Sequence, residues 1–131
     1  MPPVILCVDD DPTALFVRRL LLSTAGYAVL TASGVEAAQG LFDCNHVDLV
    51  ITDHLLPDGT GAELVLQMKR VRPEMPAVLL TAWGDMPQGY EHADRLLSKG
   101  MTPEDFLREV ASLLSNHNDE PRRSRTSIPA P

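Results

Sequence analysis

Short apolar runs alternate with longer amphipathic segments along most of the chain. Val4–Val8 and residues 47–52 and 77–80 are nearly continuous apolar stretches. Such runs are typical of strands that are buried on both faces of a parallel sheet. Residues 27–31 and 96–97 are weaker runs, which we interpret as the second and the fifth strand.

Helices are predicted between these strands from their start and stop signals. Asp11 followed by a proline begins the first helix, and Gly26 ends it. Capping-box sequences begin at Ser33 and Thr60, and the last helix begins at Thr102. Apolar positions three and four residues apart define one face of each helix: Ala14, Val17, Leu21 and Ala25 in the first, Ala37, Ala38, Leu41 and Phe42 in the second, Leu64, Val65 and Met68 in the third, and Phe106, Leu107, Val110, Leu113 and Leu114 in the last.

This alternation predicts an α/β fold, a doubly wound parallel sheet of five strands with helices on both faces. We expect the flavodoxin-like strand order 2-1-3-4-5. The fourth helix should be short or absent, because residues 86–93 are few and include Pro87 and Gly89. We assign residues 1–115 to one domain and interpret residues 116–131, which are polar and contain prolines, as a disordered tail.

Composition narrows the class of protein. A chain of 131 residues with 44% apolar and 22% charged residues fits one ordinary globular domain. Its net charge of -7 argues against a nucleic-acid partner. Cys7 and Cys44 are predicted to be free thiols, because their spacing fits no zinc site. No segment has the pattern of a signal peptide or a membrane span, so we expect a cytoplasmic protein without a membrane partner.

Polar residues follow four of the predicted strands, and Asp53 is central among them. The third strand ends on Asp53 and is followed by a Pro-Asp-Gly turn. Asp9 and Asp10 follow the first strand, Thr81 follows the fourth, and Lys99 follows the fifth. Because ligands of open α/β sheets bind at the carboxyl ends of the strands, we expect these side chains to surround one site.

The expected site combines three carboxylates with an ammonium and a hydroxyl group. Two carboxylates about 4 Å apart repel each other by roughly 4 kcal/mol at an effective dielectric constant near 20, so three of them require a counter-charge. Mg²⁺ suits such a cluster, because it binds a few carboxylates and keeps several waters. The combination fits phosphoryl chemistry, in which a carboxylate can be the nucleophile while a metal and an ammonium neutralise the transferred group.

These residues resemble the receiver domain of response regulators, the phosphoacceptor module of bacterial two-component signalling, over about residues 3–114. The resemblance rests on Asp9-Asp10, on Asp53 with the following Leu-Pro-Asp-Gly-Thr-Gly sequence, on Thr81 before an alanine, and on Lys99. It implies that Asp53 is phosphorylated from a histidine kinase or a phosphotransfer protein. It also implies output through a downstream protein target, with no enzymatic activity beyond self-phosphotransfer and autodephosphorylation.

The resemblance also implies how Mg²⁺ is held. Asp10, Asp53 and the backbone carbonyl of Leu55 would bind the metal directly, and Asp9 would hold its water shell. The phosphate lifetime in this family is often tuned at two positions, which are Leu55 and Trp83 in this chain. Neither side chain can orient an attacking water, so we predict slow self-dephosphorylation.

The resemblance implies that Thr81 bonds a phosphoryl oxygen and that Lys99 pairs with the phosphate, but the chain departs from the family nearby. The family usually has a proline after the lysine, whereas this chain has Gly100. A trans peptide bond is therefore expected there, which leaves the reach of Lys99 open. Leu96 stands at the position of the usual aromatic switch residue, so we expect output that does not depend on a ring rotation.

Neither the histidine nor the tryptophan near the site is assigned a functional role. His54 follows the acceptor and Trp83 lies in the loop after the fourth strand. A single His beside a turn is usually without a metal role, and a loop aromatic is more often partly exposed than a partner contact.

Two other functions stay open from the sequence. The change at Gly100 fits a degenerate receiver, a binding module that is not phosphorylated. Residues 9–13 also match the Asp-x-Asp-x-Thr opening of haloacid-dehalogenase-like phosphatases, with Asp9 as the nucleophile, although Asp85 is the one later acid available. Residues 116–131 are too few and too polar to form an output domain, so we expect a stand-alone regulator or a fragment of something longer.

Overall fold

A computed structural model describes residues 1–82 and 84–119. The strands are β1 (Val4–Val8), β2 (Ala28–Ala32), β3 (Leu49–Asp53), β4 (Leu55–Leu56), β5 (Gly59–Thr60), β6 (Ala77–Thr81) and β7 (Arg95–Ser98). The helices are α1 (Pro12–Thr24), α2 (Val35–Cys44), α3 (Gly61–Val71) and α4 (Pro103–Asp119).

Five of the strands form one parallel sheet in the order β2-β1-β3-β6-β7. Since β6 and β7 are the fourth and fifth predicted strands, the predicted order 2-1-3-4-5 is confirmed. The strands β4 and β5 pair with each other as a small antiparallel hairpin directly after β3, which the sequence analysis did not predict.

The sheet separates two apolar layers, and each central strand contributes alternate residues to both. Ile5 and Cys7 face the layer that includes α1 and α4, whereas Leu6 and Val8 face the layer that includes α2 and α3. Burial raises the pKa of the Cys7 thiol to about 12, so this thiol stays neutral. Cys7 and Cys44 are both free, as predicted.

The predicted core face of α1 is correct only in part: Ala14 and Leu21 lie on the inner side, whereas Val17 and Ala25 are exposed. Val17 is 56% exposed, while Leu22 is fully buried. The side of the helix that is turned away from solvent is the stripe Ala14, Leu15, Arg18, Leu21 and Leu22. Apolar spacing alone missed part of this face because an arginine occupies its centre.

The segment between β6 and β7 has no full helix among its described residues. A single 3₁₀ turn, Tyr90–His92, stands where a fourth helix would lie. This agrees with the prediction of a short or absent helix. None of the helices in the described part of the chain has the length and apolar character needed to cross a bilayer.

The last helix extends beyond the predicted end of the domain. It continues to Asp119, four residues past residue 115. The remainder of the predicted tail, residues 120–131, lies outside the described residues.

The N-terminus of α2 is capped by a residue that is distant in sequence, which corrects the capping box predicted at Ser33. Gly34 is the N-cap residue and supplies no side-chain cap. Instead, the Asp58 carboxylate accepts hydrogen bonds from the backbone N–H groups of Val35 at 2.7 Å and Glu36 at 3.0 Å. These bonds lower the pKa of Asp58. They also connect the turn between β4 and β5 to α2. The cap predicted at Thr60 is present, because the Thr60 hydroxyl accepts a hydrogen bond from the backbone N–H of Glu63.

Replacing Asp58 with Asn should lower the melting temperature by a few degrees at neutral pH, because a charged cap is lost. The folded-state pKa of Asp58 is depressed from its ordinary value of 3.8. Its contribution is therefore complete above that value and is lost as the pH falls through the lower folded-state pKa. Thermal melts at several pH values should show the gap between the two proteins closing below pH 3.8. Asp43→Asn, a control on the exposed end of α2, should leave stability unchanged, and a pH-independent Asp58→Asn deficit would contradict the assignment.

Candidate functional site

Three acids meet where β1 and β3 end side by side. The two strands pair with Val8 opposite Thr52, so the residues that follow them are neighbours. One carboxylate oxygen from each of Asp9, Asp10 and Asp53 lies within 4.8 Å of the other two. Asp9 and Asp53 are buried and Asp10 is exposed. Oxygen donors at this spacing suit a hard divalent cation such as Mg²⁺.

The Asp53 carboxylate is held through one of its oxygens. Oδ1 accepts a hydrogen bond from the backbone N–H of His54 at 2.8 Å and lies 2.9 Å from Lys99 Nζ. Within the described residues, no donor contacts Oδ2. Asp53 is 7% exposed, so its carboxylate is largely shielded from water, and an ammonium group lies beside it.

Lys99 reaches Asp53 although glycine follows it. All peptide bonds in the described residues are trans, including the one that joins Lys99 to Gly100. The backbone N–H of Lys99 donates to the carbonyl of Thr81 at 2.9 Å, which fixes where the side chain starts. The departure at Gly100 therefore does not prevent the contact between lysine and acid.

Asp9 has a partner that the sequence analysis missed. Arg18 Nη1 lies 3.1 Å from Asp9 Oδ2, and the Arg18 side chain is 14% exposed. Asp9 Oδ1 accepts a bond from the backbone N–H of Asp11 at 2.9 Å. The sequence signal for this pair was the position of Arg18 on the inner stripe of α1. A guanidinium group in such a position needs a buried acid as its partner.

Thr81 lies at the site with its hydroxyl group directed to the loop that follows β6. The hydroxyl donates to the backbone carbonyl of Asp85 at 3.3 Å. Asp85 and Met86 help to line a cavity of about 470 Å³ together with Asp53 and Lys99. The loop thus adds a third acid, Asp85, to a lining that already contains Asp10 and Asp53. From the sequence, Asp85 was considered only for the phosphatase alternative.

The remaining predicted positions flank this cavity. Leu55 lines it, is 72% exposed and pairs with Thr60 in the small hairpin. His54 also lines the cavity, and its backbone N–H contacts the acceptor carboxylate. Trp83 lies outside the described residues.

Gly61 allows α3 to approach the acceptor strand closely. A Cβ atom at this position would lie 2.2 Å from the backbone oxygen of Asp53 and 2.8 Å from a methyl group of Leu79. The N–H of Gly61 donates to the carbonyl of His54 at 2.7 Å. The backbone around Asp53 is therefore fixed by a contact that a side chain at position 61 would prevent.

The model of the protein family described as response regulator receiver domain matches residues 5–111 of this chain. The transcriptional regulatory protein GlrR of Escherichia coli (strain K12) is 41% identical over 88 residues, which are 66% of this chain and 19% of that protein. The phosphate regulon transcriptional regulatory protein PhoB of Pseudomonas aeruginosa is 30% identical over 116 residues, which are 84% of this chain and 51% of that protein. The matches thus span from about a fifth to about half of these relatives.

Solved structures show the same likeness. A response regulator receiver domain protein from Clostridium thermocellum has a TM-score of 0.79 at 31% identity, covering 86% of this chain and 94% of that one. The response regulator protein TrrA from Thermotoga maritima, solved in complex with Mg²⁺-BeF, has a TM-score of 0.80 at 27% identity, covering 85% of this chain and 98% of that one.

Replacing Gly61 with Ala should lower the free energy of unfolding by about 2 kcal/mol or more, because backbone and core atoms must move to admit the methyl group. Gly40→Ala is a matched control in the exposed interior of α2, where a Cβ atom meets nothing within 4 Å. It should raise the free energy of unfolding by about 0.5–1 kcal/mol. Urea unfolding of both variants measures the difference, and equal effects would contradict the proposed close approach.

Proposed function

We propose, because the chain belongs to the response regulator receiver domain family, that Asp53 accepts a phosphoryl group from a phosphohistidine. The donor would be a histidine kinase or a phosphotransfer protein. The observation that carries this proposal is the 2.9 Å contact between Lys99 Nζ and Asp53 Oδ1, beside two further acids. In the transfer, a carboxylate oxygen of Asp53 bonds to phosphorus while the P–N bond breaks, and the imidazole nitrogen keeps the electron pair.

The chain's own residues supply the positioning and most of the charge. The ammonium of Lys99 would pair with the transferred group, and the N–H of His54 keeps the Asp53 carboxylate in one orientation. No donor within the described residues contacts Oδ2 of Asp53, so the lone pairs of this oxygen are free. The Thr81 hydroxyl would leave the carbonyl of Asp85 and donate to a phosphoryl oxygen.

The acid cluster would hold Mg²⁺ as the cofactor. Asp10, Asp53 and the carbonyl of Leu55 would bind the ion, and Asp9 would contact its waters. When bound, the ion neutralises negative charge on the phosphoryl oxygens. The spacing of the carboxylate oxygens supports this role, since all three acids offer an atom within 4.8 Å of the others.

The geometry disfavours the two alternatives. Asp9 would be the nucleophile of a phosphatase, but it is 1% exposed and its oxygens are bonded to Arg18 and to the N–H of Asp11. A degenerate receiver was suggested by the glycine after Lys99, yet Lys99 contacts Asp53. Both observations support phosphoryl acceptance on Asp53.

Output is proposed to pass through a contact with a downstream protein. Leu96 is aliphatic, so a ring rotation at this position is unavailable as the signal. The link from Thr81 to the carbonyl of Asp85 instead connects the site to the loop before the 3₁₀ turn. Movement of the Thr81 hydroxyl toward a phosphoryl group would break that link.

Incubation of the full chain with acetyl phosphate and Mg²⁺ should add one phosphoryl group, because this donor replaces the kinase. Intact-protein mass spectrometry should detect the adduct on the wild type and no adduct on Asp53→Asn. Asp43→Asn, the same chemical change on the far end of α2, should be phosphorylated normally. An unmodified wild type would refute the proposal, and turnover that requires Asp9 would favour a phosphatase.

The phosphorylated protein should lose its phosphate slowly, on a timescale of minutes or longer. Leu55 is exposed beside the cavity and has no group that can orient a water molecule. Leu55→Asn should therefore shorten the phosphate lifetime severalfold, whereas Leu20→Asn on the exposed side of α1 should not change it. Mass spectrometry over time after removal of acetyl phosphate measures the lifetime. Loss within seconds from the wild type would be the contrary result.

A further inference from the structure

Arg18 occupies an unusual place on the inner side of α1. It stands at the centre of the stripe formed by Ala14, Leu15, Leu21 and Leu22, whose other members are apolar. Its side chain is 14% exposed. A guanidinium group so far removed from water is costly unless an acid compensates it.

That acid is Asp9, one of the three acids of the cluster. The Nη1–Oδ2 distance is 3.1 Å, and Asp9 itself is 1% exposed. The second oxygen of Asp9 is bonded to the N–H of Asp11. The negative charge of Asp9 is therefore compensated by a cation of the protein itself even without a bound metal.

We propose that Arg18 is a positioning residue that weakens Mg²⁺ binding by acting through Asp9. Three carboxylates are balanced by two cations, Lys99 on Asp53 and Arg18 on Asp9. The Arg18 charge lowers the negative potential at the cluster and repels a divalent ion held by Asp10 and Asp53. The role rests on the proposed function, because it requires Mg²⁺ at these acids. Its consequence is that metal occupancy, and with it phosphoryl acceptance, varies with the free Mg²⁺ concentration.

The test compares four substitutions, Arg18→Gln, Arg18→Met, Arg18→Lys and Arg19→Met, in the full chain by calorimetric titration with Mg²⁺ alone. Arg18→Gln removes the charge but can still donate to Asp9, and it should bind Mg²⁺ about tenfold more tightly than the wild type. Arg18→Lys keeps the charge and should stay within about twofold of the wild type. Arg19→Met removes an exposed charge from the next position and should also have little effect. A residue with a purely structural role would not give tighter binding when it is lost.

Thermal melts provide a second measurement. Without metal, Arg18→Gln should melt below the wild type, because Asp9 loses its ionic partner in a buried place. With Mg²⁺ in excess, its melting temperature should rise by more than that of the wild type, since tighter binding to the native state stabilises it more. Arg18→Met, which keeps the apolar stem and has no donor, should show the same two changes more strongly.

The outcomes separate this role from the proposed function. If the wild type binds Mg²⁺ and the neutral variants bind it equally or more weakly, the role of Arg18 is refuted while phosphoryl acceptance stands. If Arg18→Lys also binds tenfold more tightly, charge is not the cause and the role is again refuted. If neither the wild type nor the neutral variants bind Mg²⁺, both proposals fail.

Discussion

The mutual repulsion of three carboxylates is the constraint on which the rest of the site depends. Asp9, Asp10 and Asp53 come from two strand ends, and each offers an oxygen within 4.8 Å of the others. Two of the residues are nearly excluded from water, where an uncompensated charge is most costly. The fold places one cation on each buried acid, Arg18 from α1 and Lys99 from the turn after β7. Each cation comes from a different part of the chain, so the site requires α1 and the end of β7 in addition to the ends of β1 and β3.

The turn that follows the acceptor connects the site to both neighbouring helices. Asp58 caps the N-terminus of α2 from this turn, and Gly61 brings the N-terminus of α3 against the backbone of Asp53. The same few residues therefore determine where two helices begin and where the acceptor carboxylate lies. The first turn of α3 therefore lies directly against the backbone of Asp53, because only a glycine fits between them.

The sheet could be predicted from the sequence more fully than the helices and their caps. Apolar runs such as Val4–Val8 are buried on both faces, and they indicate strands without knowledge of their neighbours. The residues at the strand ends follow from parallel pairing, which brings Asp9 beside Asp53. The N-cap of α2 could not be found in the same way, because Asp58 lies over twenty residues from the helix that it caps. The core face of α1 was only partly predicted for a related reason, since the burial of Arg18 depends on Asp9, a partner outside the helix.

The position of Lys99 shows how a local sequence change can leave a tertiary contact intact. The pairing of Thr81 with Ser98 and the bond from the Lys99 N–H to the Thr81 carbonyl fix the backbone of the lysine at the end of β7. The turn beyond it is closed by Ser98, whose hydroxyl accepts the N–H of Gly100 at 3.1 Å and whose carbonyl accepts the N–H of Met101. These bonds hold the turn without a proline ring. Because the lysine side chain starts from a backbone held by the sheet, its contact with Asp53 depends on strand register more than on the identity of the residue that follows.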